Sequence, residues 1–494
     1  MSVGRTSLLL APLALLGRAA AFFLPIVLAA WFGVSPSMDA LYYALNVPTF
    51  LLVLLAAAVG TVIVPGFASL VQRAPEEQSA WLSAAATLAV SIAMCLGVLT
   101  ALLLPTVLTL TQFDESTRTL SVRVFWQLLP FLGVNVLCAV VKAGCDVHGR
   151  FREGAAAPLF RAVGIIASAW ALRDYGPSVL PIPLTIGHTA EVLWLIWVLR
   201  KAGVRLWPTL NVPKDLWGAA QALGLVLIGE TLFAANTVVD KQFAAALPAG
   251  SVSILEYADR ARLIPMTLIE SSLLVVAFAT WARARAKGDH AGFHRAVSTA
   301  IWWVFLLAPP VLGGMVVGRE AMVSMLFERG VFSVADTPPT AAALGAFLPG
   351  VLATLCATLC IKAHVVAGSP RTVLCLGLLS FMLNVVFNSL LMTPLGLVGL
   401  AWSTTGASTV VGITAWMLFT PQARAALPIK QWVPAWALAG VSGALTGLAV
   451  WNDAAPKSVL DPKLWIWAIP FVVLLGCGAW FARRAQEPAQ AEPA

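Results

Sequence analysis

Residues 236–265 read NTVVDKQFAAALPAGSVSILEYADRARLIP, and the fold is decided here. Two apolar segments meet across a short turn at Pro248–Gly250. The first ends with Asp240 and Lys241; the second carries Glu256, Asp259, Arg260 and Arg262. On insertion scales a charge at the centre of a bilayer costs about 2.5–3.5 kcal/mol. Charges at this density survive in apolar segments when they face a water-filled cavity or pair with one another. The Asp259–Arg260 neighbourhood therefore reads as the wall of a polar cavity. The alternative is a snorkelling or structural ion pair near the membrane surface.

Outward from this stretch the chain stays apolar. Of its 494 residues, 60% are hydrophobic and only 11% are charged, with a mean hydropathy of +0.87. A soluble domain carries about 25% charge. Apolar runs of about 20 residues recur from end to end, each long enough to cross a bilayer. A β-barrel is excluded, since its segments would be shorter and alternating. The chain reads as an all-α polytopic membrane protein. No cleavable leader is expected, because the first apolar run lacks a small-residue cleavage site.

Fourteen spans are expected, at 7–32, 40–71, 80–110, 120–147, 156–173, 181–200, 215–247, 251–285, 296–318, 338–367, 372–393, 395–420, 431–451 and 464–482. An even count puts both termini on one side. One set of loops holds about 17 Lys and Arg, among them Arg73, Arg150, Arg200 and Arg285, against about 7 in the other. The positive-inside rule makes the richer set, and both termini, cytoplasmic. Residues 319–337 are short and amphipathic, an expected interfacial helix on the outer face. The tail QEPAQAEPA is expected to be disordered.

The net charge of +8 does not indicate nucleic acid, because the positives sit in short loops that set topology. The seven cysteines lie almost wholly within apolar runs. Cys356 and Cys360 are one turn apart, but no histidine or acid completes a metal site. Packing is their expected role. No nucleotide-binding glycine loop and no catalytic constellation is evident, so no enzymatic activity is expected.

Tyr43-Ala44 and Tyr257-Ala258 occupy matching contexts, a faint echo between spans 1–6 and 7–12. Repeated halves with a site between them are common in transporters.

Taken together, the motifs resemble the MurJ/MviN family of lipid II flippases. They are Asn236-Thr-Val-Val-Asp240, Gly250-Ser-Val-Ser253, Tyr257-Ala-Asp-Arg260 and Pro265. Leu326-Phe-Glu-Arg-Gly330 with Phe332 and Asp336-Thr337 is similar to that family's outer-face motif. Gly149-Arg-Phe151 with Pro158 resembles its cytoplasmic loop, and Phe32-Gly33 with Asp39-Ala40 and Pro48 its first hairpin. The matches run over residues 18–340.

The resemblance implies the multidrug/oligosaccharidyl-lipid/polysaccharide exporter superfamily, with two six-helix lobes around a central cavity. The lobes would be residues 1–205 and 206–425. Two extra C-terminal helices within 426–484 would form a lipid-tail groove, and 485–494 the tail. The implied activity is movement of an undecaprenyl-pyrophosphate-linked saccharide from the inner to the outer leaflet of the bacterial cytoplasmic membrane. Its partners would be that substrate and membrane lipids, with the chain a monomer. Arg18 in the first span and Arg260 in the eighth place one cation in each lobe, and arginine's planar fork matches phosphate oxygens. Arg262 is a further substrate-binding candidate. Asp39 would carry a substrate or gating contact, or cap the second helix. Asn236, Glu256 and Asp259 belong to the gating and structural motif.

Departures from the family fall in the first lobe. A second basic position followed by an acid is usual in the first helix; here that region is Phe22-Phe-Leu-Pro25. The basic and acidic segment after the first hairpin's proline is also apolar here. Much of the anionic-substrate signature of that lobe is therefore missing.

Some relatives bind sodium through an acid of the seventh span, polar residues of the eleventh and a threonine of the twelfth. Asp240, Asn384, Asn388 and Thr404 match that pattern, and oxygen ligands suit a hard cation. An interhelical hydrogen-bond cluster is the alternative. Other readings are a cation-coupled drug or metabolite exporter, an exopolysaccharide-unit flippase and a non-transporting envelope scaffold. Glu191, Glu230 and Glu270 lie in apolar spans, where each could relay protons or bond a neighbouring helix.

Overall fold

The computed structural model describes residues 24–209, 211 and 214–419. Arg18, the spans expected at 431–451 and 464–482, and the acidic tail lie outside the described residues. The chain is a polytopic helical membrane protein. Among the described residues, eight helices are long and apolar enough to cross a membrane.

Helix α1 occupies 24–32 and stops at Gly33, whose φ is +58°. Ser35 and Pro36 start the next helix, with the Ser35 hydroxyl accepting from the Met38 N–H at 3.3 Å. The span expected at 40–71 is built in three pieces. Helix α2 covers Pro36–Ala58, a π-turn covers Val59–Ile63, and α3 covers Val64–Arg73. Pro65 removes one backbone donor, and the hydrogen-bond ladder shifts register just ahead of it.

Helix α4 spans Gln78–Leu108 and α5 spans Glu115–Val147. Asp114 caps α5, accepting from Thr117 N at 3.1 Å and from the Ser116 hydroxyl at 2.6 Å. Those hydrogen bonds, Ser116's first, hold the Asp114 carboxyl below its ordinary value. Then follow α6 (Phe151–Leu172), α7 (Pro181–Lys201), α8 (Lys214–Ala244), α9 (Ser251–Ala286) and α10 (His290–Val317). The segment expected along the membrane surface is a nine-residue helix, α11 (Arg319–Phe327), followed by a turn into α12 (Thr337–Val366). The spans expected at 372–393 and 395–420 are the two arms of α13 (Pro370–Met417). They break at Gly396, where φ is +56° and ψ −133°, a conformation costly for any residue with a Cβ.

The chain divides between Ser253 and Ile254 into two compact units. In the first, α5 is central and packs against α2, α4 and α7, while α6 lies on α7. Its core gathers Phe67, Trp81, Leu82, Leu132, Val140 and Leu199. The α6–α7 crossing is very close: a Cβ on Gly187 would meet Ile165 Cγ1 at 2.3 Å and the Arg161 carbonyl oxygen at 2.6 Å. Small residues allow such approaches between membrane helices. In the second unit α12 packs against α10, α11 and α13. Thr405 donates to the Ala346 carbonyl at 2.7 Å, and Gly350 leaves room for it.

The contact division at 253/254 falls well past residue 205, the end of the proposed first lobe, because α8 packs against α2. The lobes and the contact units thus describe the chain in different terms.

Candidate functional site

The motif stretch around Asn236–Pro265 contributes to both units, and each part has its own geometry. In the first unit the anchor is Asp39, in the first turn of α2 and 1% exposed. Its Oδ2 accepts from Gly250 N at 2.5 Å, and its Oδ1 accepts from Ser253 N at 2.7 Å and from the Ser253 hydroxyl. Asp39 therefore caps the start of α9. It does not cap α2, whose own start is served by Ser35. Three donors fill a sealed carboxylate, which leaves it little to offer a ligand. Gly250 is required at the turn twice over, by its φ of +92° and by Val34 Cγ1, which a Cβ would meet at 2.8 Å.

The same face of α2 is tied to α8. Tyr43 donates its hydroxyl to Gln242 Oε1 at 2.5 Å, and Asn46 Nδ2 donates to the Thr237 carbonyl at 3.2 Å. Lys241 is buried, with its ammonium 5.5 Å from the Tyr42 ring centroid. Tyr43 also meets Phe113 edge-on at 5.5 Å. Asn236 and Asp240 are partly buried on α8, one turn apart.

In the second unit α9 presents two ion pairs along itself. Arg260 Nη2 lies 2.7 Å from Glu256 Oε1, an i,i+4 pair. Arg262 Nη2 lies 2.5 Å from Asp259 Oδ1, an i,i+3 pair. The two arginines differ in access. The Arg262 side chain is 14% exposed and its guanidinium sits 4.8 Å from the centre of the Phe347 ring. The Arg260 side chain is 41% exposed. Of the two, Arg260 has the edge that a ligand could reach.

Tyr257, next to Glu256, is fully buried against Phe327 and Phe332 at 5.3 and 5.6 Å. The motif at 326–337 is thus the aromatic seat of α9. Glu328 accepts from the Thr337 hydroxyl at 2.9 Å, and Asp336 Oδ2 accepts from Ser333 N at 2.8 Å. These bonds fix the turn between α11 and α12.

Of the expected sodium ligands, Asn384 and Asn388 share one buried face of the first arm of α13. Asn388 Nδ2 donates to Asn384 Oδ1 at 3.2 Å. Thr404 lies on the second arm, with its hydroxyl 3.3 Å from the Leu400 carbonyl. Asp240 belongs to the first unit. Among the described residues no group of three or more His, Cys, Asp or Glu is placed to hold a metal.

The Asp39–Ser253 cap had no local signal in the sequence. Gly250-Ser-Val-Ser253 has the composition of a helix start, but its acid lies more than two hundred residues away. The closure of Arg262 against Phe347 was equally hidden, since the two belong to different helices.

The lipid II flippase MurJ family model matches residues 28–451. A probable lipid II flippase MurJ from Haemophilus influenzae is 26% identical over 329 residues. That match covers 64% of this chain and 62% of the relative, under two thirds of its length. A solved lipid II flippase MurJ in an inward closed conformation superposes with a TM-score of 0.77 at 19% identity, covering 97% of this chain and 99% of that one. A multidrug resistance MATE family transporter of the MOP superfamily gives 0.66 at 16% identity, over 82% of this chain and 96% of that one. At these identities the two structures establish the fold, and the family match, which takes in the sealed anchor at Asp39 and the charged helix α9, establishes that the chain belongs to the lipid II flippase MurJ family.

Proposed function

We propose that this protein carries an undecaprenyl-pyrophosphate-linked saccharide, lipid II or a related precursor, from the inner to the outer leaflet of the bacterial cytoplasmic membrane. It works by alternating access, as a monomer with both termini in the cytoplasm, and serves envelope biosynthesis. The observation that carries this reading is Arg260: an arginine within an apolar span, its side chain 41% exposed, paired with Glu256 on its own helix. A guanidinium kept accessible inside a membrane span suits a diphosphate, whose oxygens match its fork. Glu256 orients the side chain and leaves part of it open. Family membership supports the substrate class. Reconstituted flipping in proteoliposomes, read as appearance of the saccharide headgroup on the far leaflet, tests the reading. Transport of the precursor is the expected result, and none by a folded protein would overturn it.

Sodium is the proposed coupling ion. Supporting this, the Asn384–Asn388 face offers side-chain oxygens buried within a membrane helix. An ion that binds only the folded state raises its stability. Sodium should therefore raise the melting temperature of the purified protein over potassium, and Asn388→Ala should remove that rise. A melting curve indifferent to sodium would leave only the hydrogen-bond reading.

A further inference from the structure

A second charged cluster lies in the first unit, between α5, α6 and α7. Glu191 is the central residue of the 21-residue α7, about 15 Å from either end. It is 3% exposed, and its Oε2 lies 3.1 Å from Arg161 Nη1 of α6. Arg161 stands at the middle of its own 22-residue helix. The glycine crossing sets this pair up, because Gly187, one turn before Glu191, presses α7 against the Arg161 backbone. Cys138 of α5 faces the same carboxylate, and α5 also packs against α6. Lys142, one turn further along α5, lies 2.8 Å from Asp146 Oδ2.

The acid and the cations are treated unequally. Glu191 is sealed, whereas the Arg161 side chain is 29% exposed and that of Lys142 is 46% exposed. Arg161 uses only Nη1 on Glu191; among the described residues no protein acceptor takes its Nε or Nη2. As a rule, charged groups within a span face the bundle interior or a water-filled cavity, and the exposure of both cations points to the cavity. Arg161 is too deep to be explained by snorkelling to the surface. A buried acid that holds an arginine by one corner, with an accessible lysine on the neighbouring helix, leaves N–H donors available to an anion with several oxygens.

We propose that Arg161 and Lys142 form a phosphate- or diphosphate-binding subsite within the first unit, with Glu191 and Asp146 as positioning residues. In the chemistry of transport, this subsite supplies cations that the first lobe lacks near Phe22–Pro25. That role rests on the flippase reading; the binding itself does not.

The test is calorimetric titration of sodium pyrophosphate into the detergent-purified full chain. It is run in an Arg260→Ala background, so that Arg260 does not contribute. Pyrophosphate should bind, and adding Lys142→Gln should weaken it about tenfold or more. Arg161→Ala alone would strand a buried carboxylate and could unfold the unit. The double change Arg161→Gln/Glu191→Gln removes both charges and should weaken binding similarly. Farnesyl pyrophosphate separates the sources: tighter binding than free pyrophosphate, lost in the same variants, marks a lipid-borne ligand, and equal binding marks the free ion. A Lys142→Cys chain in native membranes should react with a charged, membrane-impermeant thiol reagent beyond the level of the parent chain. No pyrophosphate binding, affinity unchanged in both variants, or an unreactive Lys142→Cys would each overturn the subsite. If wild type does not flip substrate while the binding pattern holds, the transport reading fails and the subsite stands. If wild type flips while the variants bind like their parent, the reverse is true.

Discussion

Asp39 and Arg260 are both charged residues in apolar helices, and they have opposite surroundings. Asp39 is 1% exposed and its two oxygens take three donors across the turn that opens α9. Arg260 is 41% exposed in its side chain and is paired with Glu256 on its own helix. A sealed, saturated charge holds structure, because its removal strands buried partners. A solvent-accessible ion pair adds little to stability, and its exposed edge remains able to meet a ligand. Access distinguishes these roles, where residue type and motif membership do not. The two tyrosines of the echoed Tyr-Ala pairs repeat the contrast in apolar form. Tyr43 has a hydroxyl bond and one aromatic neighbour, whereas Tyr257 is wrapped by two phenylalanines.

The strongest way to break the contrast is Tyr257→Ala. Deleting a fully buried aromatic costs about 3–5 kcal/mol. The purified variant should show a large drop in apparent melting temperature, and a small change would deny that Phe327 and Phe332 seat α9. Next is Asp39→Ala, which strands the buried donors of Gly250 and Ser253. It should cost about 3 kcal/mol or more, read as loss of folded yield or of melting temperature. If Asp39→Ala kept full stability but lost transport, Asp39 would be a substrate contact and the contrast would collapse.

Gly187→Ala sharpens the picture for the first unit. Overpacking typically costs about 1–3 kcal/mol, and a Cβ here meets Ile165 and the Arg161 backbone. Gly60→Ala, where nothing lies within 4 Å, is the matched control and should melt like wild type. The smallest effect is that of Tyr43→Phe. It removes one hydrogen bond, worth about 1 kcal/mol, and should lower the melting temperature slightly with transport intact.

The helical membrane architecture was legible because it is written locally: apolar runs of bilayer length, with Pro, Gly and charges at their ends. Gly396 and Ser35-Pro36 are punctuation of that kind. The roles of charged residues were less legible, since they depend on partners distant in sequence. Asp39 was expected to contact substrate or to cap its own helix, but its donors come from Gly250 and Ser253. Arg262 was grouped with Arg260 as a substrate residue; Phe347, from another helix, covers it. The Arg161–Glu191 pair joins residues thirty positions apart, across a helix crossing that Gly187 keeps close.

The most direct measurement is flipping by Arg260→Ala and Arg260→Lys in proteoliposomes, alongside their melting curves. Lysine keeps the charge but not the fork. If the open cation grips the diphosphate, Arg260→Ala abolishes flipping, Arg260→Lys retains part of it, and both melt close to wild type. Full flipping by Arg260→Ala at wild-type stability would contradict the account.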